Sequence, residues 1–184
     1  MGDTVMDRLP YLATLGAAPY ERIKTLPVTV LLDSVRSLYN VGAFFRTADA
    51  AGIESLQLCG ITGKPPLRAI SKTALGAEHR VSWRHSWAPE SVVSKLRGRG
   101  YEIAAIETSL HSIDLFDWKP QFPVCMIFGH EVDGIAPELL SACDTHVRIP
   151  MLGSKHSLNV ATAGGVVLYE LLRKYRRMME NVEI

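Results

Sequence analysis

Short, mostly apolar runs alternate with segments of helical character along the chain. The runs are Val28–Leu32, Ser55–Cys59, Val81–His85, Tyr101–Ile106, Val124–Phe128 and His146–Ile149. Runs of this kind, without strict apolar–polar alternation, are typical of strands buried in a parallel sheet. Helices are predicted over 40–51, 69–75, 89–96, 137–142 and 158–177. We therefore predict an α/β fold with a mostly parallel sheet and helices on both faces.

Proline and glycine mark where several of these elements begin and end. Residues 1–27 are interrupted by Pro10, Pro19 and Pro27, so we predict a short N-terminal extension there and a single domain over 28–184. Asn40 is predicted to cap the first helix, and Gly52 lies just past its end. Residues 107–121 are predicted to form a long loop.

Composition excludes several classes of protein. The 184 residues are 47% hydrophobic and 21% charged, which is typical of a globular chain. The formal net charge is +1, so any contact with nucleic acid must depend on local clusters of cations. No apolar run reaches the ~18 residues of a membrane span, and no signal peptide pattern is visible. We expect a cytoplasmic protein without a membrane partner.

The metal-binding side chains show no pattern typical of a metal site. Cys59, Cys125 and Cys143 lie in or near apolar runs, and the six histidines form no His-x-x-x-His pair. We predict reduced core thiols and no metal.

Ligands of parallel sheets bind beyond the carboxyl ends of the strands. The segments to examine are therefore those that follow Leu32, Phe128 and Ile149. The first contains Asn40-Val-Gly-Ala-Phe-Phe-Arg46, in which Arg46 lies off the apolar face of the predicted helix. Arg46 is either a solvated arginine that pairs with Asp49 or a charged fork that holds a phosphate or carboxylate.

The second and third segments combine glycine with polar side chains. Phe128-Gly-His-Glu-Val-Asp-Gly134 places Glu131 in a tight loop, and its glycine spacing fits neither the dinucleotide fingerprint nor a phosphate loop. Gly153-Ser-Lys-His-Ser-Leu-Asn159 follows the last strand and leads into the last helix. Ser157 or Asn159 can cap that helix.

Taken in order, these segments resemble the three motifs of the SpoU (TrmH) family of RNA ribose 2′-O-methyltransferases, within the SPOUT superfamily. The matching residues are Asn40-x-Gly42-x-x-x-Arg46, then Phe128-Gly129-x-Glu131-x-x-Gly134, then Ile149-Pro150-Met151 with Ser157-Leu158-Asn159-Val160. The resemblance covers about residues 28–176. It implies a fold whose C-terminal segment forms a trefoil knot, and methyl transfer from S-adenosylmethionine to a ribose 2′-hydroxyl.

The resemblance also implies which residues form the site. The cofactor would be bound at Gly129, Ile149, Met151 and Leu158, with Thr108 added from topology. The catalytic residues would be Arg46, Asn40, Glu131, Ser157 and Asn159. Arg46 would act at the RNA phosphate and the reacting hydroxyl, as a general base or as an electrostatic orienter. Asn40 would fix Arg46 or the first loop, and Glu131 would brace Arg46 or the knot loop.

RNA is the expected partner, through cations in a stretch without acids. Lys64, Arg68 and Lys72 form the core of this patch, and Arg36, Arg80 and Arg84 extend it. Family members are homodimers, and small residues of the last helix suit close packing between subunits. Residues 71–77 resemble a loop of tRNA-type members, which favours tRNA over rRNA.

Three other functions remain open from the sequence. The chain could be a SPOUT enzyme that methylates a base, a non-catalytic RNA-binding module on the same fold, or a generic nucleotide-binding α/β enzyme. The presence of Arg46, Glu131 and Asn159 argues against the non-catalytic module, and the absence of a phosphate loop argues against the generic enzyme.

Overall fold

A seven-stranded parallel sheet forms the centre of the computed structural model, which describes residues 20–181. The strands are β1 (Leu26–Asp33), β2 (Ile53–Cys59), β3 (Trp83–Ser86), β4 (Glu102–Ile106), β5 (Ile113–Asp114), β6 (Val124–Phe128) and β7 (Thr145–Arg148). Their order across the sheet is β3-β2-β1-β6-β4-β7-β5. Every pairing between these strands is parallel, which confirms the predicted sheet.

Helices cover both faces of the sheet, as predicted. They are α1 (Leu38–Ala51), α2 (Arg68–Ala74), α3 (Pro89–Arg97), α4 (Pro137–Ser141) and α5 (Val160–Asn181), with a short 3₁₀ turn at Ala77–His79. One apolar core joins α1, α2 and α5 to the sheet, and Val30 and Leu32 of β1 point into it. Leu31 points into a second core under α3 and α4. Alternate residues of β1 enter opposite cores, so both faces of the strand are buried and its sequence is mostly apolar.

The predicted element boundaries needed two corrections. The first strand was predicted to begin at Val28, but β1 begins at Leu26. The strand accommodates Pro27 at a shift of its register with β2, where a missing N–H is tolerated. Asn40 is not the cap of α1. Ser37 is the cap, because its side chain accepts the Asn40 N–H at 3.3 Å. Most of the predicted extension, residues 1–19, lies outside the described residues.

One small residue of α5, Gly164, allows close packing within the chain. A Cβ on Gly164 would lie 2.2 Å from Cε1 of Phe44, a buried α1 side chain that also packs on Phe128. A Cβ on Gly165 would meet only Thr47 Cγ2, at 3.9 Å. Close approach of α1 and α5 therefore depends on Gly164. The packing of small residues of the last helix between subunits stays a prediction.

The predicted loop over 107–121 contains the two-residue strand β5, which pairs with β7 alone among the strands of residues 20–181. The Lys174 ammonium on α5 fixes the chain after β5 by donating hydrogen bonds to the carbonyls of Leu115 and Trp118. Burial lowers the pKa of Lys174, although Glu170 beside it acts in the opposite direction. Within residues 20–181 no helix is both long and apolar enough to cross a bilayer.

Substitution of the two α5 glycines will test the α1–α5 contact. We expect Gly164→Ala to lower the free energy of unfolding by about 1–3 kcal/mol, because the Phe44 ring has no free space to move into. Gly165→Ala is the matched control, and the better helix propensity of alanine should leave stability unchanged or higher by up to about 1 kcal/mol. Urea unfolding monitored by circular dichroism measures both. Equal effects of the two variants would contradict the proposed contact.

Candidate active site

A pocket of about 320 Å³ lies at the carboxyl ends of β4, β6 and β7. The segments that follow these strands form its walls, together with the start of α5. The five residues predicted to bind the cofactor all line this pocket: Thr108, Gly129, Ile149, Met151 and Leu158. Glu131, Ser157 and Asn159 line it as well. Chain segments distant in sequence thus converge at one edge of the sheet, where ligands of such folds bind.

A tight turn forms the wall after β6. The backbones of His130 and Gly134 exchange two hydrogen bonds, of 3.0 and 2.9 Å. A Cβ on Gly129 would lie 2.2 Å from the Gly134 carbonyl oxygen, and Gly134 itself has a φ of +71°. Both positions therefore require glycine. The turn holds the backbone of Gly129 and His130 against the pocket.

The carboxylate of Glu131 holds the loop between β1 and α1. Its Oε2 accepts the N–H of Arg36 and its Oε1 accepts the N–H of Ser37, both at 3.0 Å. These are hydrogen bonds to a charged acceptor, which are stronger than bonds between neutral groups. Glu131 thus braces the first loop and makes no hydrogen bond to Arg46.

Asn40 connects Glu131 to the start of α5. The Asn40 Nδ2 donates to Glu131 Oε1 at 3.1 Å, and the Asn40 Oδ1 accepts from Asn159 Nδ2 at 3.1 Å. The Asn159 Oδ1 in turn accepts the N–H groups of Ala161 and Thr162, at 3.0 and 3.2 Å. Asn159 is therefore the cap of α5 and also a link to the first loop. We refer to Glu131, Asn40 and Asn159 as the polar chain.

The polar chain keeps Glu131 ionised. Burial alone would raise the pKa of this carboxyl, but the Arg36 and Ser37 amides and the Asn40 side chain outweigh burial and hold the pKa below its usual value of 4.5. The carboxylate of Glu131 is therefore charged at neutral pH, and it accepts the amides of the first loop in this charged form.

Arg46 lies outside the pocket, on the exposed side of α1. Within residues 20–181 it makes no hydrogen bond or ion pair with another residue, so the predicted contacts with Asn40, Glu131 and Asp49 do not form. Its guanidinium is free to bind a ligand. The predicted RNA-binding cations are also exposed and outside the pocket: Arg36, Lys64, Arg68, Lys72, Arg80 and Arg84.

Glu107 lines the pocket directly after β4 but was not predicted from the sequence. Its Oε1 accepts the Thr108 N–H at 3.0 Å and its Oε2 accepts the Ile135 N–H at 3.3 Å. Glu107 thereby ties the chain after β4 to the turn after β6. The rule that chemistry follows parallel strands would have identified it, because β4 is the neighbour of β6.

The cysteines take no part in this site. Burial raises the pKa of Cys59 to about 12 and that of Cys143 to about 11, and it raises the pKa of Cys125 as well. All three are protonated thiols at neutral pH and free of disulfides. Residues 20–181 contain no group of three or more His, Cys, Asp or Glu side chains placed to hold a metal ion.

The ionised state of Glu131 makes a testable contribution to stability. Its folded pKa is depressed, so the contribution is present above the unfolded pKa near 4.5 and is lost as the pH falls through the folded value. Glu131 is exposed, so solvent screens its charge and reduces this contribution. We expect Glu131→Gln to lower the melting temperature at pH 7 by roughly 1–2 °C, the shift for about 0.5 kcal/mol in a chain of this size. The difference should shrink progressively in acid below the unfolded pKa. Calorimetry across this pH range measures it, and a difference independent of pH would contradict the assignment.

The chain is similar to several characterised or solved proteins. It is 31% identical over 147 residues to the tRNA (guanosine(18)-2'-O)-methyltransferase of Escherichia coli K12, an alignment that covers 80% of this chain and 63% of the relative. The chain therefore spans less than two thirds of that relative's length. The AdoMet-bound rRNA methyltransferase of Sinorhizobium meliloti superimposes with a TM-score of 0.75 at 31% identity, covering 79% of this chain and 56% of that one.

A third similarity is to a chain of nearly the same extent. This structure concerns the 2-OH methylation of C/U34 on tRNA. The alignment covers 80% of the present chain and 95% of that chain, with a TM-score of 0.73 and 26% identity. The model of the SpoU rRNA Methylase family matches residues 27–169, which include the polar chain and the whole pocket. The chain belongs to the SpoU rRNA Methylase family.

Proposed function

We propose that this protein transfers a methyl group from S-adenosylmethionine to a ribose 2′-hydroxyl of RNA. The observation that carries the proposal is the polar chain, which joins all three motif segments at the mouth of one pocket. Relatives with the activity named above support it. The residues of the family motifs are joined by continuous hydrogen bonds. This connection favours an intact active site over a non-catalytic module.

The pocket suits this cofactor in size and chemistry. Its volume of about 320 Å³ lies within the range of small-molecule sites. Ile149, Met151 and Leu158 provide apolar surface, and the tight turn allowed by Gly129 places backbone groups in the pocket wall. Glu107 and Glu131 place two carboxylates at the pocket, which favours a cationic sulfonium ligand.

The chemistry requires the protein to orient a weak nucleophile. S-adenosylmethionine, held at Gly129, Ile149, Met151 and Leu158, would supply an electrophilic methyl group and would leave as a neutral thioether. The proton of the ribose hydroxyl would pass to solvent. We propose that Arg46 binds the adjacent phosphate and orients the hydroxyl, since a free arginine stays charged and is a poor base. Ser157 and Asn159 border the pocket where the ribose would lie.

We propose tRNA rather than rRNA as the substrate. Two of the similar proteins described above act on tRNA according to their names, and one of these is covered over 95% of its length. The S. meliloti neighbour is named as an rRNA methyltransferase. Mass spectrometry of nucleosides from tRNA and rRNA of a deletion strain would separate the two, and loss of a methyl from rRNA alone would contradict our choice.

Three structural proposals accompany this function. The single domain over 28–184 contains a trefoil knot, supported by the insertion of β7 between β4 and β5, which are consecutive strands. A crystal structure with an unknotted trace would refute this.

The protein is also a homodimer. Three exposed apolar side chains support an interface: Val132 at the pocket, Leu152, and Tyr169 of α5. Sedimentation as a monomer at micromolar concentration would refute that interface.

Replacement of Arg46 will test the reaction. We expect Arg46→Ala to lower the rate of methyl transfer from labelled cofactor to RNA by about 10²-fold or more, as loss of an orienting charge does. The dissociation constant of S-adenosylmethionine by calorimetry should stay unchanged, because Arg46 lies outside the pocket. Arg177→Ala, an exposed arginine near the end of α5, is the control and should keep the wild-type rate.

The outcomes of that experiment separate the alternatives. Equal transfer rates of Arg46→Ala and wild type would remove Arg46 from the mechanism. Failure of the wild type to bind S-adenosylmethionine would favour a non-catalytic RNA-binding module. Label recovered on a base after digestion to nucleosides would favour base methylation.

The exposed cations should give RNA binding a strong salt dependence. Replacing Lys64, Arg68 and Lys72 together by glutamine should reduce the slope of log K against log salt concentration by about 2–3, at ~0.7 to 0.9 for each lost phosphate contact. Filter binding of tRNA at several salt concentrations measures the slope. An unchanged slope would place the RNA on another surface.

A further inference from the structure

The edge strand β3 ends in an exposed tryptophan that the proposed mechanism does not use. Trp87 directly follows β3 and is 75% exposed, whereas Trp118 is 2% exposed and Trp83 packs against the core. Single exposed apolar side chains are common in proteins, so the argument for a binding role depends on the surroundings of the ring.

The ring of Trp87 is held in place by a fixed neighbour. The His85 ring contacts it edge to face, with centroids 5.0 Å apart and an interplanar angle of 85°. His85 Nε2 lies 3.2 Å from the carbonyl oxygen of Gly60, at the end of β2. The backbone of Gly60 also donates to the Ser86 carbonyl at 3.0 Å. Trp87 thus presents its ring from a braced position, as a stacking platform requires.

Trp87 and the candidate active site both lie at the carboxyl ends of the strands of the sheet. All strands are parallel, so the carboxyl ends of β3 and β6 lie on the same edge. They are separated by β2 and β1, which corresponds to three strand spacings or about 14 Å. The loops that follow β1 and β2 lie between them and carry the exposed cations Arg36 and Lys64. Glu90, in the first turn of α3, is the acid nearest to Trp87 in sequence.

An aromatic ring, intervening cations and a nearby methylation site match the chemistry of single-stranded RNA. Aromatic side chains stack on unpaired bases, while cations hold the phosphates between them. A base inside a duplex has no free face to offer. We propose that Trp87 stacks on an unpaired base a few nucleotides from the methylated ribose, so that the protein selects targets in loops over targets in helices. This inference rests on the proposed function.

Fluorescence of Trp87 provides a direct test that needs no methyl transfer. A single-stranded oligoriboadenylate should quench the emission of the wild type, and a fully paired RNA duplex should quench it less. Trp87→Phe should lose this quenching and yet retain RNA affinity, because phenylalanine can still stack. Phe116→Ala is the matched control, since Phe116 is also exposed, at 61%, but follows β5 at the opposite end of the sheet.

Methyl-transfer kinetics on total tRNA provide the second test. We expect Trp87→Ala to raise the KM for tRNA about tenfold, roughly the loss of one base stack, with kcat and the dissociation constant of S-adenosylmethionine unchanged. Trp87→Phe should stay within about threefold of the wild type, and Phe116→Ala should match it.

Each adverse outcome has one meaning. An unchanged KM and affinity in Trp87→Ala would overturn the stacking site, while methyl transfer by the wild type would leave the proposed function intact. A change in sedimentation of Trp87→Ala would also overturn it, because Trp87 would then lie in a subunit interface. Absence of methyl transfer by the wild type would overturn the proposed function, and the quenching experiment would still decide whether Trp87 binds RNA.

Discussion

The arrangement of the site depends on a single carboxylate that accepts two backbone amides. Glu131 lies in the turn after β6, and the amides of Arg36 and Ser37 lie in the loop after β1. These strands are neighbours in the sheet but almost a hundred residues apart in sequence. Without the carboxylate water would replace it as the acceptor of the two exposed amides, and the loop after β1 would lose its connection to the turn after β6. Through Asn40 and Asn159 the same charge also fixes where α5 begins.

Hydrogen bonds hold the residues of the polar chain in place, whereas Arg46 is not held in this way. Every motif residue within it is held by at least one partner of 3.1 Å or less. Arg46 comes from the same motif but lies on the exposed side of α1 without a partner among the described residues. This division suits an enzyme that must keep its small-molecule pocket formed while a large substrate arrives and leaves. The restrained groups shape the pocket, and the unrestrained cation meets the RNA.

Much of the fold could be predicted because its strands are buried runs. Val124–Phe128 was predicted with its observed limits, since both of its faces are covered and no polar residue interrupts it. The two-residue strand β5 was missed because its apolar content is too short to form a pattern. The cap of α1 was misassigned to Asn40 because the sequence offers two competent capping residues three positions apart. Asn40 is instead used by Glu131, 91 positions away, and local patterns carry no information on such a pair.

The position of β5 has a consequence for how the chain reaches its final state during synthesis. Among the described strands β5 pairs only with β7, and the carbonyls that follow β5 are held by Lys174. These partners, β7 and α5, follow β5 in the sequence and are separated from it by β6. A chain that leaves the ribosome from its N-terminus can pair β1, β2 and β3 early, but the segment after β4 must wait for its partners. The side of the sheet formed by β7 and β5 is therefore completed only after α5 has been synthesised.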